Sequence, residues 1–251
     1  SLPGLAATTA GPRFVPGGTA IQQEKPVPRK AAPFEQGETA WRARTDAAKK
    51  ACLEKRYAEA ERLLVTALKQ AEAFGPRDPR LVATRNQLAE VYLQQGKPAA
   101  AALLLRRALA IAENTLGSQH PETARTLANL GGVASQQAKY GEAEPLYRRA
   151  LAIREAALGK QHPDVADSLS RLGLLLTAQR KFAEAEELLL RALGIRNTAL
   201  GGEHPAAAES LANVAALYKA QGRYSAAEPL LERALTTVSY THLTLPTNRE
   251  V

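Results

Sequence analysis

The side chains of this 251-residue sequence best suited to chemistry are its histidines, a single cysteine and several closely spaced carboxylates. His120, His162 and His204 each precede a proline and recur with a period of 42. Three imidazoles at a regular spacing raise the question of a metal centre, and distance answers it. Zinc holds each imidazole nitrogen at about 2.1 Å, whereas equivalent residues of adjacent helical units lie about 8–10 Å apart. The three cannot share an ion, and each is expected to pack and hydrogen-bond at a turn between units. Cys52 has no partner for a disulfide or a thiol metal cluster. Lys49, Lys50 and Lys55 lie near it, but a reactive thiol needs an electropositive setting, and an inert small residue is expected. The pairs Glu142/Glu144 and Glu184/Glu186 recur with the histidines and are expected on the solvent side of helices. No phosphate-binding loop, H-E-x-x-H, G-x-S-x-G or dinucleotide fingerprint occurs. Neither enzyme activity nor a cofactor or metal is expected.

The elements that carry these residues follow from the repeat. LGSQHPETARTLANLGGVASQQAKYGEAEPLYRRALAIREAA is followed by LGKQHPDVADSLSRLGLLLTAQRKFAEAEELLLRALGIRNTA and LGGEHPAAAESLANVAALYKAQGRYSAAEPLLERAL. One period earlier Asp78-Pro79 replaces His-Pro, and a further step, shifted by one residue, finds a fifth copy from Trp41. Each copy reads as two helices. Leu127, Leu130, Gly131 and Ala134 share one face of the first, and Ala143, Leu146, Tyr147, Ala150 and Leu151 one face of the second. Gly117, Gly159 and Gly201 are expected to end second helices in left-handed conformation. Pro121, Pro163 and Pro205 then open first helices, where a missing N–H costs nothing. Small residues at 89, 131, 173 and 215, and alanine at 60, 101, 143, 185 and 227, let helices approach closely. Leucine recurs in the columns 63/104/146/188/230 and 68/109/151/193/235, and an aromatic marks the turn at Tyr57, Tyr140, Phe182 and Tyr224. Such hairpins bury their faces only by stacking on neighbours.

The spacing of Leu, Leu-Gly, turn aromatic and two alanines resembles the tetratricopeptide repeat. The 42-residue length, LG-x-x-HP and phrases such as AKYGEAEPLYRRAL are similar to its kinesin-light-chain type. The resemblance implies an all-α, right-handed α-solenoid of about five hairpins over residues 39–238, at about 39–73, 74–115, 116–157, 158–199 and 200–238. Arg44 and Arg85 depart from it, standing in the column of Leu127, Leu169 and Leu211.

The ends read differently. Residues 1–38 mix Pro with Gly, Thr and Ala without a period and are expected to be a disordered linker. Residues 239–251, SYTHLTLPTNREV, break the repeat text and resemble a translated sequencing adapter, so a non-native tail is expected, with the natural protein continuing past it. The sequence lacks methionine, even at residue 1, so a start inside a longer product or after a processing site is expected. With no capping helix expected, Leu230, Leu231 and Leu235 should leave apolar surface for fraying or self-association. No apolar run is long enough to span a bilayer, and the compartment is not legible.

Net charge is +8, spread over the copies. Arg107, Arg149, Arg191 and Arg233 form a ladder that the resemblance places on the convex side. Phosphate tracking would be joined by stacking aromatics, which are missing, so nucleic acid is disfavoured. The resemblance instead implies a protein or peptide partner in a concave groove lined by Asn86, Gln87, Glu90, Gln94, Arg125, Asn129, Gln136, Asp167, Arg171, Asn213 and Lys219. Asn129, Arg171 and Asn213 fall in one column. A clamp for a C-terminal carboxylate fits poorly, because Asp167 stands where that clamp needs a lysine. A regulatory arm of a larger enzyme is the alternative reading.

Overall fold

The computed structural model describes residues 33–244, with side chains described for 37–237. The expectations for residues 1–32 and 245–251 lie outside these. Ten helices run α1 Pro33–Leu53, α2 Tyr57–Ala73, α3 Pro79–Gln94, α4 Pro98–Thr115, α5 Pro121–Gln136, α6 Tyr140–Leu158, α7 Pro163–Ala178, α8 Phe182–Leu200, α9 Pro205–Ala220 and α10 Tyr224–Thr244. No strand occurs among the described residues. α1 begins inside the segment expected as linker. α10 passes the break in repeat text at 239, since SYTHLT contains no residue that stops a helix.

Each helix packs on the next in sequence, and α3, α5, α7 and α9 also meet one another. The odd-numbered first helices therefore form the close-spaced inner face of the solenoid. The second helices splay on the outside.

The histidines explain how each first helix starts. His120, His162 and His204 are N-caps in extended conformation, and their Nδ1 atoms accept from the N–H of Glu122, Asp164 and Ala206 at 3.1 Å. Asp78 does the same for Arg80 at 2.8 Å. Proline follows each cap at N1. Hydrogen bonding at the turn is thus the role of these imidazoles, with one donor satisfied per helix start.

Close approach inside a hairpin rests on the missing side chain at Gly131 and Gly173. A Cβ on Gly131 would stand 3.0 Å from the Tyr147 ring, and one on Gly173 would stand 2.7 Å from Leu189 Cγ. Tyr147 and Leu189 belong with Leu64 and Leu105 to the column that is fully or nearly fully buried. The neighbouring leucine column 63/104/146/188/230 is only partly buried and packs towards the adjoining hairpin.

Polar contacts join one hairpin to the next. Arg154, on α6, donates from Nη1 to the Asp164 carbonyl (3.1 Å), Asp167 Oδ2 (3.2 Å) and Ser168 Oγ (2.7 Å). Arg196 repeats this one unit later with the Ala206 carbonyl, Glu209 and Ser210. Both arginines are nearly fully buried. Near the hairpin turns, Glu61 accepts from Gln95 (2.8 Å) and Lys97 (3.3 Å). Glu144 accepts from Lys181 and Arg148 at 2.8 Å, and Glu186 from Tyr218 (2.9 Å) and Arg223 (3.4 Å). The bond from Lys181, then that from Arg148, hold the Glu144 carboxyl down at about 2.

The departures at the first two copies are accommodated differently. Arg44 folds back onto the Ala40 carbonyl. Arg85 is largely buried beside Glu72 at 3.6 Å, with Nη1 lacking a partner. Burial pulls its guanidinium below the ordinary value, with Glu72 opposing.

Two predictions follow from these contacts. Gly173→Ala is expected to cost about 1–3 kcal/mol by overpacking against Leu189, despite the higher helix propensity of alanine; thermal or urea unfolding reads it. The depressed Glu144 carboxyl contributes stability that is full above its ordinary value of 4.5 and lost as pH falls towards about 2. Unfolding curves from pH 6 to 2 should therefore show a steeper loss in the parent than in Glu144→Gln, with the parent more stable at the upper end.

Candidate partner-binding groove

The inner face can be written as four positions of each first helix, at i, i+4, i+7 and i+11, which share one side of an α-helix. In α3 these are Ala83, Gln87, Glu90 and Gln94; adding 42 gives Arg125, Asn129, Gly132 and Gln136 in α5. The next step gives Asp167, Arg171, Leu174 and Ala178 in α7. Stacking sets these columns side by side.

An open groove of about 490 Å³ runs across them. Glu90, Gln94, Asn129, Gln136 and Arg171 line it, five of the residues expected from sequence. Cys52, Leu53, Tyr57, Val91, Leu93 and Gly132 complete it. One end is thus apolar: Leu53 is 85% exposed, and Tyr57 and Leu93 flank it. The other end is polar, with Asn129 donating to Glu90 Oε1 at 3.0 Å and Arg171 Nε donating to Asp167 Oδ2 at 3.1 Å. Asn129 thereby commits a donor to Glu90 and keeps its carbonyl oxygen for other donors.

The floor is set from behind. Tyr147 reaches between α5 and α7, and its hydroxyl would lie 3.5 Å from a Cβ on Gly132. Burial pushes this phenol above its ordinary value, against the opposing pull of Arg171. The glycine pair 131/132 thus admits the ring and opens the groove above it. Burial, with the Glu90 carboxylate behind it, also pushes the Cys52 thiol up, which disfavours the thiolate.

The remaining expected residues stand elsewhere. Asn86 is a correction: it is fully buried, donating to Thr126 Oγ1 at 2.9 Å. It lies one position before the groove column, so its side chain enters the α3–α5 interface. Gln87 borders a smaller cavity of about 340 Å³ with Lys49, Cys52, Leu53 and Glu90. Arg125 pairs with Glu122 at 2.7 Å. Asp167 serves the Arg154 and Arg171 contacts and is engaged in the joint. Asn213 and Lys219 lie further along the stack, outside this groove, with Asn213 Nδ2 buried and without a partner.

Sequence reasoning missed the apolar end. Cys52 and Leu53 occupy the same columns as Leu93 and Gln94 once the one-residue shift of the first copy is applied, and that alignment was the available signal. Arg154 and Arg196 also recur 42 apart, a spacing that marks a joint. On the outer face, Arg149 pairs with Glu113 at 2.7 Å and Arg191 with Glu155 at 2.6 Å.

Among the described residues, no group of histidine, cysteine and carboxylate side chains is arranged to hold a metal, and no helix is long and apolar enough to cross a membrane.

A family model for the tetratricopeptide repeat matches residues 47–114, 104–156, 135–198 and 164–238. A Podosopora anserina protein of nearly identical kinesin-light-chain TPR-like repeats is 27% identical, covering 81% of this chain and 96% of its own, with a TM-score of 0.66. BtubC of P. vanneervenii is 23% identical over 88% of this chain and 97% of its own, also at 0.66. The pilF protein of Pseudomonas aeruginosa is 21% identical over 80% and 78%, at 0.58. The last two show likeness of fold. Curated protein sequences give no match. Repeats of this type generally mediate protein–protein interactions and are typically non-enzymatic scaffolds. With stacked hairpins, capped first helices and a family model spanning most of the chain, this protein belongs to the tetratricopeptide repeat family.

Proposed function

We propose that the chain is an interaction scaffold that holds a peptide or protein partner in the groove of its first helices. The observation that carries this reading is the groove itself: one open surface to which α1, α3, α5 and α7 all contribute, apolar at Leu53, Tyr57 and Leu93 and polar at Asn129 and Arg171. An apolar side chain anchors at the first end, and backbone amides or a charged group meet the second. Arg171 offers a planar donor fork there, tempered by Asp167.

The outer arginine ladder weighs against nucleic acid. Two of its four rungs, Arg149 and Arg191, are matched by glutamates of the preceding hairpin, so half of the column is neutralised where phosphates would approach.

The test is capture of a partner from the source cell, followed by titration against variants. Arg171→Ala is expected to cost about 1.5–3 kcal/mol, a tenfold or greater loss of affinity, and Leu53→Asp a comparable loss. Arg149→Ala should leave affinity unchanged. Losses equal for Arg171→Ala and Arg149→Ala, or confined to the latter, would place binding on the outer face.

Self-association belongs to the same reading of the stack. Tyr224 and Leu235 are each 67% exposed on the last hairpin, whereas Leu230 and Leu231 are half-buried. Sedimentation should show concentration-dependent dimers that Leu235→Lys abolishes; a strictly monomeric parent would contradict this.

A further inference from the structure

The joint between the second and third hairpins differs from the joint that follows it by a single carboxylate. Between the third and fourth hairpins, Glu144 lies among Arg148, Gln179, Lys181 and Glu184. Lys181 donates to Glu144 at 2.8 Å, and Arg148 bridges Glu144 (2.8 Å) and Glu184 (2.7 Å). Two cations are thus matched by two carboxylates. Subtracting 42 from each number gives Ala102, Arg106, Gln137, Lys139 and Glu142. Every member but one keeps its chemistry, and the glutamate becomes alanine.

The structure shows the consequence as a hollow of about 60 Å³, separate from the concave groove and lined by Ala102, Arg106, Leu130, Val133, Ala134, Gln137, Lys139, Glu142 and Leu146. Glu142 is the one carboxylate in this lining, against two cations. Neither Arg106 nor Lys139 forms an ion pair within 4.0 Å among the described residues, whereas Arg148 and Lys181 both do. Leu130, Val133 and Ala134 supply an apolar wall, as a methylene stem requires. The joint between the first and second hairpins uses the same device, with Glu61 held by Gln95 and Lys97.

We propose that this hollow binds a carboxylate from outside the chain, carried on a short aliphatic stem, in the place that Glu144 fills one repeat later. Ala102 keeps the Cβ of the missing glutamate, so acetate supplies the remaining atoms, a methyl carbon and its carboxylate. A free small acid and the acidic side chain of a bound protein share this chemistry. Arg106 and Lys139 provide charge, Gln137 a directional amide donor, and the unmatched positive charge favours an anion over a neutral group.

The experiment is a ¹H–¹⁵N NMR titration of the full chain with sodium acetate, and separately with a blocked Gly-Glu-Gly peptide, each against sodium chloride at equal ionic strength. Saturable shifts are expected at the Gln137 side-chain amide and at the backbone amides of Ala102 and Lys139. They should be lost in Ala102→Glu, whose own carboxylate fills the hollow and raises the melting temperature. Tighter saturation by acetate assigns a free acid, and tighter saturation by the peptide assigns an acidic side chain; both carry the proposal. Equal shifts with chloride mean an adventitious ion only and overturn it, as do absent shifts or acetate shifts that survive in Ala102→Glu. Lys139→Gln guards against a folding artefact: it should weaken the shifts while the amide spectrum stays that of the parent.

Discussion

The approach of the two helices within a hairpin, closest where Gly131 meets Tyr147 and Gly173 meets Leu189, is the contact on which the rest depends. A single hairpin leaves one face of each helix uncovered and gains stability only by stacking. How tightly it closes decides how far apart successive first helices lie, and hence whether their side chains form a continuous surface. At Gly131 this has a second effect. The ring that fills the space runs under Gly132, so the same missing Cβ that closes the hairpin also shapes the groove floor.

Stacking is then fixed by polar joints rather than by apolar burial alone. Arg154 and Arg196 each bring a nearly buried guanidinium to the first turn of the next first helix and satisfy it with a carbonyl, a carboxylate and a hydroxyl. A buried charge without such partners costs several kcal/mol (roughly) in lost hydration, so these contacts favour one registration over slipped alternatives. Histidine and aspartate caps set where each first helix starts. The caps place equivalent residues of α3, α5 and α7 in line, and the arginine joints add to this at α7 and α9.

Much of this was legible in sequence because a repeat states its constraints several times. The His-Pro steps, the glycine column and the alanine column fixed the hairpins, and the chemistry of the histidines at turns followed from distance. The groove was legible only in part. Of the column 129/171/213, Asn129 and Arg171 line the groove and Asn213 lies beyond it, while Asn86, one residue from its column, turns into an interface; a 100° step per residue is enough to exchange solvent for core. The apolar end escaped notice because the first copy is offset by one residue, and because Leu53 looks like core until its exposure is known. The pairing of Asp167 with Arg154 spans two hairpins and leaves no local trace.

The central claim is that the first helices together form the recognition surface. Hydrogen exchange of the intact chain, with and without its captured partner, tests it most directly. New protection is predicted in α3, α5 and α7 and in the α1–α2 turn around Leu53, with α4, α6 and α8 unchanged. Protection gained on α4, α6 and α8 while the first helices exchange as before would contradict the account.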